Sequence, residues 1–142
     1  MKLEDIKAMA ETDLLIDKSN LTSASIDTPL MVNKYYNVLI EEARIYKILE
    51  GKLSQLYKEK YDYYLSLADP AVYVKKPWNR KVLKSDVDMY INSDQDYIDM
   101  HNKIETQKFK VKYLEEIIKQ FNQRTFTIKN ILDSERFKAG GF

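Results

Sequence analysis

The segment from Pro70 to Ser85 combines cations with aromatic side chains and contains no acidic residue. Its aromatic residues, Tyr73 and Trp78, are candidates for base stacking. Its cations are Lys75, Lys76, Arg80, Lys81 and Lys84. Lysine and arginine neutralise phosphates and release counterions, and aromatic faces let unpaired bases stack. This composition therefore predicts a binding site for a flexible polyanion, such as a single-stranded nucleic acid, rather than a pocket for a small molecule.

A second candidate site lies in residues 57–64, where four tyrosines and two lysines occupy eight positions. Lys60 falls on or near the apolar face of a predicted helix, where an unpaired cation is unfavourable. A position at the rim of an assembly would place Lys60 within reach of phosphate, with Tyr61 as a further stacking candidate. The alternative is a structural role, in which the tyrosines join the core and the lysines are solvated.

The residues expected of an enzyme or a metal site are few. The chain has one histidine, His101, and no cysteine, and it contains neither a Gly-x-Ser-x-Gly turn nor a glycine-rich phosphate loop. Five aspartates in residues 86–99 could ligate a divalent cation, but they do not fit an EF-hand loop. They also suit a helix N-terminus or the basic segment of a neighbouring copy. We expect a non-enzymatic protein with no catalytic residue, metal or cofactor.

The composition indicates a helix-rich chain. Its 142 residues are 44% hydrophobic and 32% charged, with a formal net charge of +1 and only three glycines and three prolines. These proportions are typical of long, solvated helices. The N-terminus does not resemble a signal peptide, and no apolar run approaches the roughly 20 residues of a membrane span. We therefore expect a soluble, intracellular, all-α protein that does not enter a membrane.

One long helix is predicted between two proline signals. Apolar residues recur at alternating spacings of three and four over residues 32–67, which is a helical period. Thr28 and Pro29 are typical of a helix start, because threonine caps free N–H groups and proline lacks the N–H that would be unpaired. The pair Asp69–Pro70 is typical of a helix end. The predicted helix therefore covers residues 29–69.

The remaining elements are shorter or less regular. Ser93 with Asp96 resembles a capping box at the start of a second apolar stripe, and a third stripe begins after Arg124. The runs 72–74 and 81–83 could form a small hairpin. The predicted organisation is a single helical domain with an acidic segment and linker at 1–28, the long helix at 29–69, a basic and then acidic loop at 70–92, and C-terminal oligomerisation helices at 93–142.

The apolar stripes are too long for the other elements of one chain to cover. An uncovered stripe leaves a large exposed apolar patch, which self-association would remove. We therefore expect a homo-oligomer. The alternative is a monomer of three antiparallel helices.

Three short motifs, in order along the chain, resemble the UvsY family of recombination mediators of T4-like phages. The central segment Lys58-Glu59-Lys60-Tyr61-Asp62-Tyr63-Tyr64 is similar to the family signature Lys-x-Arg/Lys-x-Asp-Tyr-Tyr. The opening is similar at Leu3–Ile6, Ile16–Asp17 and Leu21, and the ending at Phe126–Ile131 and Phe137–Gly140. Residues 70–92, which include the basic segment, match poorly.

The resemblance implies a mediator of homologous recombination and repair in the cytoplasm of an infected bacterial host. Members bind single-stranded DNA covered by the phage single-stranded-DNA-binding protein and help to load a RecA-like recombinase. It also implies a ring- or open-barrel-like homo-oligomer, a hexamer or heptamer. By position, Lys58 and Lys60 correspond to the family's DNA-contacting pair. Lys75, Lys76, Arg80 and Lys81 are added to the predicted site from composition alone. The alternative function is a structural or assembly protein that forms helical homo-oligomers without binding nucleic acid.

Overall fold

The computed structural model describes residues 1–140, which contain α-helices and no β-strand. The five helices are α1 (Leu3–Asp13), α2 (Leu21–Tyr64), α3 (Pro70–Lys75), α4 (Val87–Asn92) and α5 (Gln95–Lys138). The predicted all-α class is confirmed. Gly141 and Phe142, which end the predicted C-terminal segment, lie outside the described residues. No helix of residues 1–140 has the length and apolar character needed to cross a membrane.

The chain forms two compact units. Unit 1 contains Met1–Ala43 and Phe109–Phe142, and unit 2 contains Arg44–Lys108. Both long helices, α2 and α5, contribute residues to each unit.

The core of unit 1 is built from α1, α2 and α5. Its fully buried side chains are those of Ile6 and Ala10 in α1, Tyr35 in α2, and Leu114 and Phe121 in α5. The rings of Tyr35 and Phe121 lie 5.1 Å apart between centroids. These contacts pack the short α1 against both long helices, which explains why its amphipathic sequence forms a helix.

Helix α2 begins earlier than predicted, at Leu21, and Pro29 lies inside it. Asn20 caps the start, because its Oδ1 accepts a hydrogen bond from the N–H of Ser23 at 3.2 Å. Thr28 does not cap a helix start; its hydroxyl donates to the carbonyl of Ala24 at 2.8 Å. The cost of an internal proline is offset by burial of Leu21 and Ala24 against α5. The predicted start at residue 29 is therefore wrong.

Helix α2 also ends before the predicted residue 69. Ser66 adopts a left-handed φ of 61°. Around it, the N–H of Leu67 donates to the carbonyl of Asp62 at 2.8 Å and that of Ser66 to the carbonyl of Tyr63 at 3.2 Å. This pair of bonds is a Schellman ending, here without the usual glycine. Asp69 and Pro70 instead start α3, with Asp69 accepting from the N–H of Ala71 at 2.9 Å.

The predicted hairpin is wrong. Residues 72–74 lie in α3, and residues 81–83 have no regular structure. The predicted acidic loop contains α4, whose Val87 and Ile91 are buried in the core of unit 2. The predicted break after Arg124 does not occur either, because α5 runs without interruption through it.

Candidate nucleic-acid interface

A cluster of aromatic rings holds the segment that follows α3 in unit 2. We call Tyr63, Tyr64, Tyr73, Trp78 and Tyr90 the aromatic cluster. Tyr73 stacks on Tyr63 with centroids 5.4 Å apart and ring planes 15° apart. Trp78 makes edge-to-face contacts with Tyr64 at 4.9 Å and with Tyr90 at 5.7 Å. Such geometries are favourable for aromatic pairs, so the irregular segment packs on a defined surface.

Hydrogen bonds fix the same segment to the end of α2. Trp78 Nε1 donates to the backbone carbonyl of Tyr64 at 3.1 Å. The hydroxyl of Tyr63 donates to the carbonyl of Lys76 at 3.1 Å, and that of Tyr73 to the carbonyl of Tyr63 at 2.7 Å. The bonds to Tyr64 and Lys76 satisfy backbone carbonyls at the helix ending and in the irregular segment, and the Tyr63 carbonyl accepts from Tyr73 in addition to Ser66. The segment is therefore anchored at residues 76 and 78.

We call residues 75–84 the basic loop. Its cations are exposed. They are Lys75, Lys76, Arg80, Lys81 and Lys84. Among the described residues, none of them forms an ion pair with a carboxylate. Two are oriented by aromatic residues: Lys76 Nζ lies 5.9 Å from the centroid of the Tyr63 ring, and Arg80 donates to the hydroxyl of Tyr90 at 3.4 Å. The basic loop therefore presents positive charge that nearby acids do not neutralise.

Lys58 and Lys60 differ in their surroundings. The Lys58 side chain is 72% exposed, and its Nζ lies 2.6 Å from Asp62 Oδ2, one helical turn away. The Lys60 side chain is only 11% exposed, and its Nζ lies 2.8 Å from Asp96 Oδ2 and 3.3 Å from Asp94 Oδ2. Burial alone would lower the pKa of Lys60, but its hydrogen bond to Asp96 and the charge of Asp94 raise it above the ordinary value of 10.5. Lys60 is therefore a charged, enclosed cation.

Asp94 caps helix α5, a role that the sequence pattern assigned to Ser93 and Asp96. Its Oδ1 accepts from the N–H groups of Asp96 at 2.9 Å and Tyr97 at 3.2 Å. The predicted capping box is wrong, since the hydroxyl of Ser93 donates back to the carbonyl of Met89 in α4. The signal that could have identified Asp94 is an aspartate directly before the first helical residue.

The three stacking candidates are partly buried in unit 2. Tyr73 and Trp78 belong to the aromatic cluster, and both are engaged in its hydrogen bonds. Tyr61 packs beside it, with its ring 6.3 Å from that of Tyr57. The hydroxyl of Tyr57 donates to Asp88, and this bond raises the pKa of Tyr57. The rings thus serve as a scaffold and keep only part of their surface accessible.

Four of the five aspartates of residues 86–99 have local side-chain partners. Asp88 accepts from Tyr57, Asp94 and Asp96 pair with Lys60, and Asp99 accepts from Gln95 at 2.7 Å. In the described part of the chain, no group of three or more acidic or histidine side chains is placed to hold a metal ion. These contacts do not support the pairing of this acidic segment with the basic loop of a neighbouring copy.

A family model described as the recombination, repair and ssDNA-binding protein UvsY matches residues 9–141. The chain belongs to the UvsY family. The predicted resemblance is therefore confirmed, and it extends across residues 70–92, where the motifs match poorly. No curated protein sequence matches the chain.

The fold of this UvsY family member is also that of crystal structures of the bacteriophage T4 recombination mediator protein UvsY. The lattice type IV structure has a TM-score of 0.85 at 18% identity, covering 96% of this chain and 99% of the T4 chain. The type II structure has a TM-score of 0.82 at 20% identity, covering 98% of each chain. At these identities, the likeness establishes the shared fold.

Proposed function

We propose that this UvsY family member binds single-stranded DNA through the exposed cations of the basic loop together with Lys58. The observation that carries the proposal is the set of exposed cations in residues 75–84 that lack carboxylate partners among the described residues. Unpaired cations gain most from meeting phosphate, because no existing ion pair must be broken first. The family description, which includes ssDNA binding, points to the same ligand.

The anchored backbone of the basic loop supports this role. Its cations would be ordered before DNA binds, so that less conformational entropy is lost on association. The partly exposed rings of Tyr61, Tyr73 and Trp78 are the candidates for stacking with unpaired bases. Neither contact reads base edges, and binding is therefore expected to be largely independent of sequence.

The wider role that we propose is recombination mediation. The chain would bind single strands covered by the phage single-stranded-DNA-binding protein and help to load a RecA-like recombinase, in the cytoplasm of the infected host. This role requires binding and assembly rather than catalysis. It is supported by membership of a family described as acting in recombination and repair.

We also include self-association in the proposal, as a ring- or open-barrel-like homo-oligomer such as a hexamer or heptamer. Large apolar side chains are exposed on both long helices of unit 1, in α2 at Ile26, Leu30 and Ile40 and in α5 at Phe126, Leu132 and Phe137. Phe126 and Phe137 are 70% and 82% exposed. Contact with a second copy would bury such side chains. The same observation favours the alternative function, a structural assembly protein that does not bind nucleic acid.

DNA binding is tested by fluorescence anisotropy with a labelled oligothymidylate at several salt concentrations. Replacing Lys75, Lys76, Arg80 and Lys81 by alanine should weaken binding and flatten the salt dependence. A matched control replaces four exposed lysines of unit 1 (Lys7, Lys18, Lys112 and Lys129), which removes the same charge. Equal losses in the two variants would indicate a general charge effect rather than a site. Absence of salt-dependent binding by the parent protein would favour the assembly alternative.

A further inference from the structure

The resemblance predicted Lys60 as a DNA-contacting residue, yet its contacts in this chain are those of a structural residue. Its side chain is 11% exposed, and both carboxylates that it contacts lie within 3.3 Å of its Nζ. The ring of Tyr63 lies 5.9 Å away on another side. To reach a phosphate, the ammonium group would have to exchange these partners. Lys58, two residues earlier, is 72% exposed and pairs only with Asp62 one helical turn away, and water screens such an exposed ion pair.

The groove beside Lys60 is unfavourable for an anion. Its volume is about 360 Å³, and it lies between α2 and α5 within unit 2. Three carboxylates line it, from Glu59, Asp96 and Asp99, against the ammonium groups of Lys60 and Lys103. A phosphate that entered this groove would meet more negative than positive charge, which disfavours binding.

The carboxylate that Lys60 neutralises is part of a chain of contacts that leads to the basic loop. Asp94, whose side chain is 2% exposed, caps α5 through Oδ1 and accepts a hydrogen bond from the Tyr64 hydroxyl through Oδ2. Tyr64 in turn accepts the hydrogen bond of Trp78 Nε1 at its backbone carbonyl and packs edge-to-face against the Trp78 ring. Loss of the Lys60 charge would leave the Asp94 carboxylate buried without its nearest neutralising cation.

We propose that Lys60 is a positioning residue for the DNA-binding loop and not a phosphate ligand. It acts through Asp94 and Tyr64, which hold the helix ends and Trp78 in place. The inference rests on the proposed binding of single-stranded DNA by the basic loop. In this chain, phosphate contacts are made by Lys58 and the loop cations, and the charge at position 60 serves the fold.

The test compares Lys60→Met with Lys58→Met, since both remove one charge and keep a long side chain. Trp78 is the only tryptophan, so its emission in the free protein reports the position of the basic loop. Lys60→Met should shift this emission and weaken oligothymidylate binding several-fold with an unchanged salt slope. Lys58→Met should leave the emission unchanged and reduce the magnitude of the slope by about 0.7, the value for one phosphate contact.

A second variant covers the case in which Lys60→Met does not fold. The double variant Lys60→Met/Asp94→Asn leaves no buried unpaired carboxylate, and asparagine remains a good N-cap. It should regain the parent emission, affinity and slope. A slope reduced by about 0.7 in the double variant, or an unchanged emission in a folded Lys60→Met, would overturn the positioning role. If the parent protein does not bind the oligonucleotide, the proposed function fails, while the Trp78 emission still tests the role of Lys60.

Discussion

Tyr35 donates a hydrogen bond from its hydroxyl to Asp13 Oδ2 at 2.8 Å, joining the first third of α2 to the end of α1. Lys34 contacts the same oxygen at 2.7 Å. Burial alone would raise the pKa of Asp13, but the hydrogen bonds from Lys34 and Tyr35 hold it below its ordinary value of 3.8. This small network attaches α1 to the rest of unit 1.

The first prediction concerns acid stability. Because the folded state lowers the pKa of Asp13, this carboxylate stabilises the fold above about pH 4, and the contribution is lost as the pH falls through the lower, folded pKa. Tyr35→Phe should cost about 1 kcal/mol at neutral pH, the usual value of one hydrogen bond. The cost should shrink in acid, where the Asp13 carboxylate becomes protonated. Urea unfolding at neutral pH and at the lowest pH at which the parent protein still folds measures both values.

A control for this prediction is Tyr36→Phe, at a neighbouring position that is 49% exposed. This variant should have the stability of the parent at both pH values. A cost of Tyr35→Phe that stays constant down to acid pH would show that the hydroxyl stabilises the fold independently of the Asp13 charge.

The ends of the long helices show where sequence patterns stop being sufficient. Apolar spacing over residues 32–67 predicted a helix, and residues 32–64 are helical. The helix start predicted at Pro29 was wrong, because α2 extends back to Leu21. There Leu21 and Ala24 are buried against Ile128, which lies more than a hundred positions away in the sequence. Such tertiary contacts outweigh a local signal and are invisible to it. At the other end, Ser66 occupies a left-handed position for which sequence rules expect glycine.

The second prediction follows from that position. Ser66→Gly should stabilise unit 2 by up to about 1 kcal/mol, because glycine adopts a positive φ without the steric cost that serine bears. The gain is limited by the greater freedom of glycine in the unfolded chain. Thermal unfolding compared with Ser66→Ala, which keeps a Cβ, measures it. Equal melting temperatures for the glycine and alanine variants would mean that the steric penalty at the φ of 61° does not exceed the entropic cost of glycine.

The candidate site was only partly accessible from the sequence. The cations of residues 75–84 could be identified from the sequence, because no acidic residue lies among them and the excess of positive charge is local. The enclosure of Lys60 cannot be read from the local sequence, since its partners Asp94 and Asp96 lie about 35 residues later, at the start of α5. Trp78 was predicted as a stacking residue. Its hydrogen bond to the carbonyl of Tyr64 could not be predicted, because the helix was expected to end at residue 69 and instead ends at Tyr64.

The third prediction concerns self-association. Ile128 is 6% exposed and packs within its own chain, whereas Phe126, Leu132 and Phe137 are exposed on the same helix. Replacing these three exposed residues by glutamate should convert a species several times 16.8 kDa to smaller forms in sedimentation experiments. Burial of a charge at an apolar contact is strongly unfavourable, and each substitution adds to that cost.

A matched control introduces three glutamates at exposed polar positions of the same helix, at Asn122, Asn130 and Ser134. This variant should keep the parent sedimentation coefficient. Dissociation of both variants would assign the effect to charge repulsion along α5, and dissociation of neither would place the contacts between copies on another surface.

The last prediction links assembly to DNA affinity. One chain offers only a few exposed cations at the basic loop, and a single subunit should therefore bind a strand weakly. Subunits held in one assembly raise the effective concentration of the remaining sites after the first one binds. The dissociated Phe126/Leu132/Phe137 glutamate variant should therefore lose affinity for a long oligothymidylate although its loop cations are intact. For an oligonucleotide short enough to contact one subunit, it should equal the parent, because no second site can then engage. Anisotropy titrations give the ratio of the affinity for the long oligonucleotide to that for the short one, and this ratio isolates the contribution of assembly. The same ratio in the parent and in the dissociated variant would contradict the prediction.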